Sequence, residues 1–215
     1  MSYDNPVIRF LNKLTDLIFL NFLFLLCSLP IVTMGAALTA MYAVNLRSVR
    51  EGDGYVAKRF FKAFKENFMQ ATAAWLMVLL AAGILFLDIR FWQASGIGGM
   101  AQMMLLLSGI LALILWMISL WVFPVIAKMR DRLMVQIVNA AKMTFAFFLP
   151  HTLVCMILCA GAAYLATISV SVLMLMAVFG IAFINWICCF FFYKGFARVI
   201  KEEPIGEEDY LYPHG

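Results

Sequence analysis

Charge is what this sequence has least of: Asp, Glu, Lys and Arg make up 13% of its 215 residues, about half the share of a soluble domain. With 65% of residues hydrophobic and a mean hydropathy of +0.96, a water-facing globule is excluded. Catalytic signatures are missing too. No G-x-S-x-G, H-E-x-x-H or glycine-rich phosphate loop occurs, and no apolar run carries a central carboxylate or an acid and base pair. The chain reads as a non-enzymatic integral membrane protein, with no cofactor, no resident metal and no nucleic-acid partner expected.

Cysteine offers no framework either. Cys27, Cys155, Cys159, Cys188 and Cys189 all lie inside apolar runs, where a thiol behaves as a small hydrophobe. His151, Cys155 and Cys159 share one helical face, but ligands stacked along a single helix cannot close tetrahedrally on one ion.

What is present is a series of long apolar runs. The first, Leu11 to Leu46, exceeds the roughly 20 residues a crossing needs, and Ser28-Leu29-Pro30 interrupts it. Proline removes a backbone donor and disfavours helix in the residue before it. The stretch is therefore either one kinked span or a hairpin, with helices over Leu11–Leu29 and Thr33–Leu46. A cleaved signal peptide is a weaker reading, since further apolar runs follow. The return helix is rich in small residues, including Gly35, Ala36, Ala37, Thr39, Ala40 and Ala43, which let helices approach closely in lipid. Pro30 and Gly35 are thus singled out as helix break and packing site. Further spans are predicted over Met69–Trp92, Met100–Ala127, Met143–Leu165 and Ser169–Phe196, with tryptophans near several ends as an aromatic belt.

Basic residues set the orientation. Arg47 to Lys65 and Lys128 to Lys142 are rich in Lys and Arg, whereas Gln93–Gly99 and Ala166–Ser169 hold none. With a hairpin at the start, every Lys and Arg except Arg90 falls on one side, which the positive-inside rule makes cytoplasmic. The expectation is an all-α polytopic bundle of about six crossings in the cell membrane, with both termini inside. Residues 1–200 form one helical domain, and the acidic stretch 201–215 is a mobile cytoplasmic tail.

The segment Tyr55 to Phe68 (Y-V-A-K-R-F-F-K-A-F-K-E-N-F) is the most distinctive. Phe60, Phe61, Phe64 and Phe68 recur at helical spacing opposite Lys58, Arg59, Lys62 and Lys65. This predicts an amphipathic elbow helix on the inner membrane surface, serving as a plain elbow or as a docking surface for a partner. Lys128 to Thr144 is a weaker echo of it. Within the spans Asn21 and Asn185 are the leading polar candidates, while Asp88 and Arg90 read as interfacial.

Leu26–Gly35 (L-C-S-L-P-I-V-T-M-G), Gly54–Val56 leading into Phe60–Phe68, Gln70–Thr72 and, more loosely, Phe123-Pro124 with Ala127 resemble the YesL-like family of small bacterial membrane proteins. The resemblance implies no catalytic or ligand residues. It implies companionship with carbohydrate uptake systems of the ABC type, hence an accessory or scaffold role with the bilayer and transporter components as partners. The alternative is a small transporter or channel acting as a homo-oligomer, with Asn21, Thr39 and Asn185 lining a polar cavity.

Overall fold

The computed structural model describes residues 6–51, 55–95, 98–147 and 151–199. All regular structure among these residues is helical. The chain runs α1 (Pro6–Ser28), a 3-10 turn (Ile31–Thr33), α2 (Met34–Glu51), α3 (Val56–Ser95), α4 (Gly98–Lys128) and α5 (Leu133–Ala146). Helices α6 (Leu153–Ile168) and α7 (Val170–Leu175), a π-helical segment (Met176–Gly180) and α8 (Ile181–Val199) complete it. The expected acidic tail 201–215 lies outside the described residues.

The proline break settles the first ambiguity. Pro30 adopts an extended conformation (φ −77°, ψ 119°), and the carbonyls freed there find other donors. The Thr33 hydroxyl donates to the Cys27 oxygen at 2.7 Å and the Pro30 oxygen at 2.9 Å, and the Trp75 indole donates to the Ile31 oxygen at 2.8 Å. At the opposite end Lys13 donates to Ser48, so α1 and α2 run antiparallel. Leu17, Leu20, Leu23 and Phe24 pack on Ala37, Ala40, Met41 and Val44 between them. The first stretch is a hairpin, not one kinked span.

Helix α2 is the central element, in contact with α1, α3, α4 and α8. Its small residues make this possible. A Cβ on Gly35 would lie 2.7 Å from the Ala71 carbonyl oxygen and 3.0 Å from Trp75 Cγ, so α2 and α3 touch backbone to backbone there.

The elbow expected at Tyr55–Phe68 is helical and amphipathic, but it is not a separate surface helix. It forms the first turns of α3, a continuous helix of 40 residues that spans about 60 Å, twice the hydrocarbon thickness. The α1–α2 hairpin covers its apolar face, which is why that face turns inward instead of lying on lipid. Lys128–Thr144 is likewise no elbow: α5 folds back along α4, with the Gln136 amide donating to the Met129 oxygen and Thr144 Oγ1 to the Met117 oxygen.

Among the described residues, four helical stretches are long and apolar enough to cross a membrane: Phe10–Ser28, Val56–Ala94, Gly98–Lys128 and Val170–Val199. The second expected crossing falls on α2, and the fifth, Met143–Leu165, is divided between α5 and α6. Helices α3 and α4 form an antiparallel hairpin, joined by Arg130 to Glu66 at one level and by Ser108 to Asp88 at another. Beyond Trp75 this hairpin exposes Leu80, Ile84, Leu87, Met103, Leu106 and Ile110, as a lipid-facing surface does.

Trp121 departs from the aromatic-belt expectation. It is fully buried, its indole donates to Thr152 Oγ1 at 2.8 Å, and its ring meets Phe147, Phe192 and Phe196. Gly195 makes room for it, because a Cβ there would lie 2.8 Å from Trp121 Cη2.

Gly35→Val forces apart a backbone contact that no rotamer change relieves. Overpacking of this kind costs about 1–3 kcal/mol. In detergent, thermal unfolding of the G35V variant is expected several degrees below the parent, whereas Gly83→Val, with nothing within 4 Å of its added Cβ, leaves the midpoint in place.

Candidate functional site

Two sets of polar residues stand out, one inside the helices and one at their ends. The inner set forms around the π-helical segment. A π turn widens the helix and leaves backbone groups without their usual partners. Asn21 of α1 satisfies them: its Nδ2 donates to the carbonyls of Met176 (3.3 Å) and Ala177 (2.7 Å), and its Oδ1 accepts from the Ala182 N–H at 3.0 Å. Nearby, Asn45 of α2 donates to Asn185 Oδ1 at 2.7 Å and to the Ala182 oxygen at 3.4 Å. Asn21, Asn45 and Asn185 are all buried.

Asn21 and Asn185 are therefore brought together around Ala182. Asn45, which joins them, was not legible as a partner, because only the tertiary fold turns its side chain toward α8. Thr39 is apart from this cluster and donates to the Gly35 carbonyl of its own helix at 2.9 Å. The three residues proposed to line a transport cavity are thus packed and bonded. Farther along the α3–α4 hairpin, Asp88 accepts from Ser108 and from the Trp92 indole at 3.1 Å, so it bridges the two helices.

His151 is buried edge-on between the rings of Phe147 and Phe191. Cys188 of α8 and Cys155 of α6 lie in one buried cluster with Cys159 packed against it, and all five cysteines are free thiols.

The outer set surrounds an open cavity of about 890 Å³. Its walls are the last turns of α2, the first turns of α3 and the end of α4 with the link to α5. Among the described residues, Arg47, Arg59, Lys62, Lys128 and Arg130 line it with cations and Glu66 with a carboxylate. Arg130 bonds Glu66 at 3.2 Å. Small residues Ala43, Ala63 and Ala127 leave the space open.

The residues of the α3 amphipathic segment divide between these surroundings. Phe60 is 0% exposed, and Phe64 and Phe68 are half-buried against the core, so Phe60 cannot reach a partner or lipid. These rings follow one another along the helix, Phe60 stacked on Phe64 and Phe68 tilted against Phe64. Arg59 and Lys62 line the cavity. Lys58, Phe61 and Lys65 remain on the outer face, with Phe61 49% exposed. Basic residues of α2 and α4 bear on the cavity as much as those of α3. Their proximity to helix ends was visible in the sequence, but their convergence was not.

A double-mutant cycle with Asn45→Leu and Asn185→Leu measures the inner cluster. Interhelical hydrogen bonds within membranes contribute about 0.6 kcal/mol on average and up to about 1.7. A coupling in that range, read from unfolding in mixed micelles, is expected for a bond of 2.7 Å; additive losses would show that the two amides do not interact.

A family model described as "Protein of unknown function, DUF624" matches residues 17–89. The match takes in most of the α1–α2 hairpin and of α3, about a third of the chain. No curated protein and no solved structure matches. The chain is similar to that uncharacterised family over its first three helices, the part that carries Pro30, Gly35 and the Phe and Lys rows.

Proposed function

We propose that the protein is a non-catalytic accessory component of the cell membrane, acting through the basic pole formed by the ends of α2, α4 and the start of α3. The observation that carries this reading is the outer face of α3. Its Phe60, Phe64 and Phe68 side is anchored in the protein, and Lys58, Phe61 and Lys65 stand outward from a rigid helix. A cationic face with one exposed aromatic fits an acidic partner surface, since charge complementarity steers association and aromatic residues supply contact energy. By the positive-inside rule this pole faces the cytoplasm.

The YesL-like resemblance, with which the match over residues 17–89 is consistent, supplies the partner class: a component of a carbohydrate importer of the ABC type. The bonding of Asn21, Thr39 and Asn185 within the protein gives the transporter alternative no comparable support.

A photocrosslinking residue in place of Phe61, introduced in the native host, tests the reading. Capture of an importer subunit is expected, reduced several-fold by Lys58→Glu with Lys65→Glu, together with slower sugar uptake in a strain lacking the protein. Crosslinks to lipid alone with unchanged uptake would remove the proposal.

A further inference from the structure

The α1–α2 hairpin ends halfway along α3. Its tip is held there by the Trp75 indole, which donates to the Ile31 oxygen at 2.8 Å, and by Gly35, whose added Cβ would meet Ala71 and Trp75. Val56 and Phe60, in the first turns of α3, share a cluster with Leu17 and Val44, nearer the base of the hairpin. The hairpin therefore runs beside Val56 to Trp75, and the second half of α3 extends past it.

Charge limits where lipid can begin. Lys58, Lys65 and Glu66 are exposed on those first turns, and an exposed charge in hydrocarbon is costly. The next charged residue of α3 is Asp88. Glu66 bridges to Arg130 and Asp88 to Ser108, and α4 likewise carries no charge from Gly109 to Ala127. The interval Asn67 to Leu87 rises about 30 Å, the thickness of the hydrocarbon. Trp75 stands about 14 Å past Glu66 along the helix, so the tip reaches no deeper than mid-bilayer. A slab placed farther out leaves it shallower still. Phe123 of α4 faces Trp75, and exposed Lys194 adjoins Gly195 against nearby Trp121, so a shallow tip also keeps that cation near water.

The tip is built for lipid. Leu29, Ile31 and Val32 are 77%, 69% and 50% exposed. The carbonyls freed by the proline break are taken up by Thr33 Oγ1 and the Trp75 indole, as non-helical backbone at membrane depth requires. A turn in water would need neither feature.

We propose that the α1–α2 hairpin is a re-entrant element. It enters the bilayer from the side of the basic pole, inserts Leu29, Ile31 and Val32 among the acyl chains of that leaflet, and turns back without crossing. Phe10–Ser28 is long and apolar enough to cross, but its first turns lie beside the lysines of α3. That the leaflet is the cytoplasmic one rests on the orientation given above for the basic pole.

A dansyl-bearing amino acid placed singly at Phe19, Val32 or Leu80 of the full-length protein, in phosphatidylcholine vesicles, tests the depth. Quenching by nitroxide-labelled lipid and by aqueous iodide is read for each, with lipid-facing Leu80 as the reference. Val32 is expected to be quenched by the lipid several-fold more than Phe19, and Phe19 several-fold more by iodide. The reverse order is what two crossings produce, and it would overturn the proposal, as would equal quenching at both positions. Ile31→Asp separates the same alternatives without a label: its thermal unfolding in bilayers is expected several degrees below the parent, and an unchanged midpoint would place the tip in water. The depth order is the same whichever side the basic pole faces and no partner is present, so the outcome is independent of the crosslinking test.

Discussion

Helix α2 lies so close to α3 that no side chain fits between them at Gly35, where an added Cβ would run into the Ala71 carbonyl. Lipid gives apolar helices no hydrophobic reason to leave it, so association within the bilayer depends on dispersion contact and on hydrogen bonds across helices. Small residues on α2 supply the first, with Ala36, Ala37 and Ala40 fully buried. The rest of the arrangement follows from that seat. With α2 in the middle, Asn45 reaches Asn185 on α8 and Arg47 reaches the cations of α3 and α4. Its last turn thereby joins the wall of the basic cavity.

Several interior polar groups show the same economy. Asn21 takes up backbone groups that the π-helical segment releases, Thr39 bonds within its own helix, and Asp88 is held between Ser108 and Trp92. An unsatisfied polar group in a medium without water costs several kcal/mol. Asn21 and Asp88 thereby tie helices together, whereas Thr39 is satisfied by its own helix. Most charged residues stand at the helix ends, where water can solvate them.

Much of this was legible in particular residues. Pro30 marked a break in the first apolar run because it lacks an N–H and disfavours helix in the residue before it; Pro124, by contrast, is carried inside α4. The small residues from Gly35 to Ala43 marked a helix that would be surrounded. The Phe row marked an apolar face, but what covers it was not legible: a row of rings opposite lysines has the same pattern whether lipid or another helix covers it. For α3 the cover is the α1–α2 hairpin, and the elbow becomes the start of a long helix. Trp121 shows the same limit, since an indole near a span end suits a membrane interface or a core, and only Gly195 and the surrounding rings decide.

Composition, helix periodicity and the proline break, all local properties, determined the all-helical membrane class, the interruption at Pro30 and the concentration of cations at helix ends. The cavity is of another kind. Arg47, Arg59 and Lys128 lie on different helices, and whether they converge depends on crossing positions and rotations set by backbone contact at Gly35 and packing around Trp121. Those are properties of helix pairs, so no single stretch of sequence contains them.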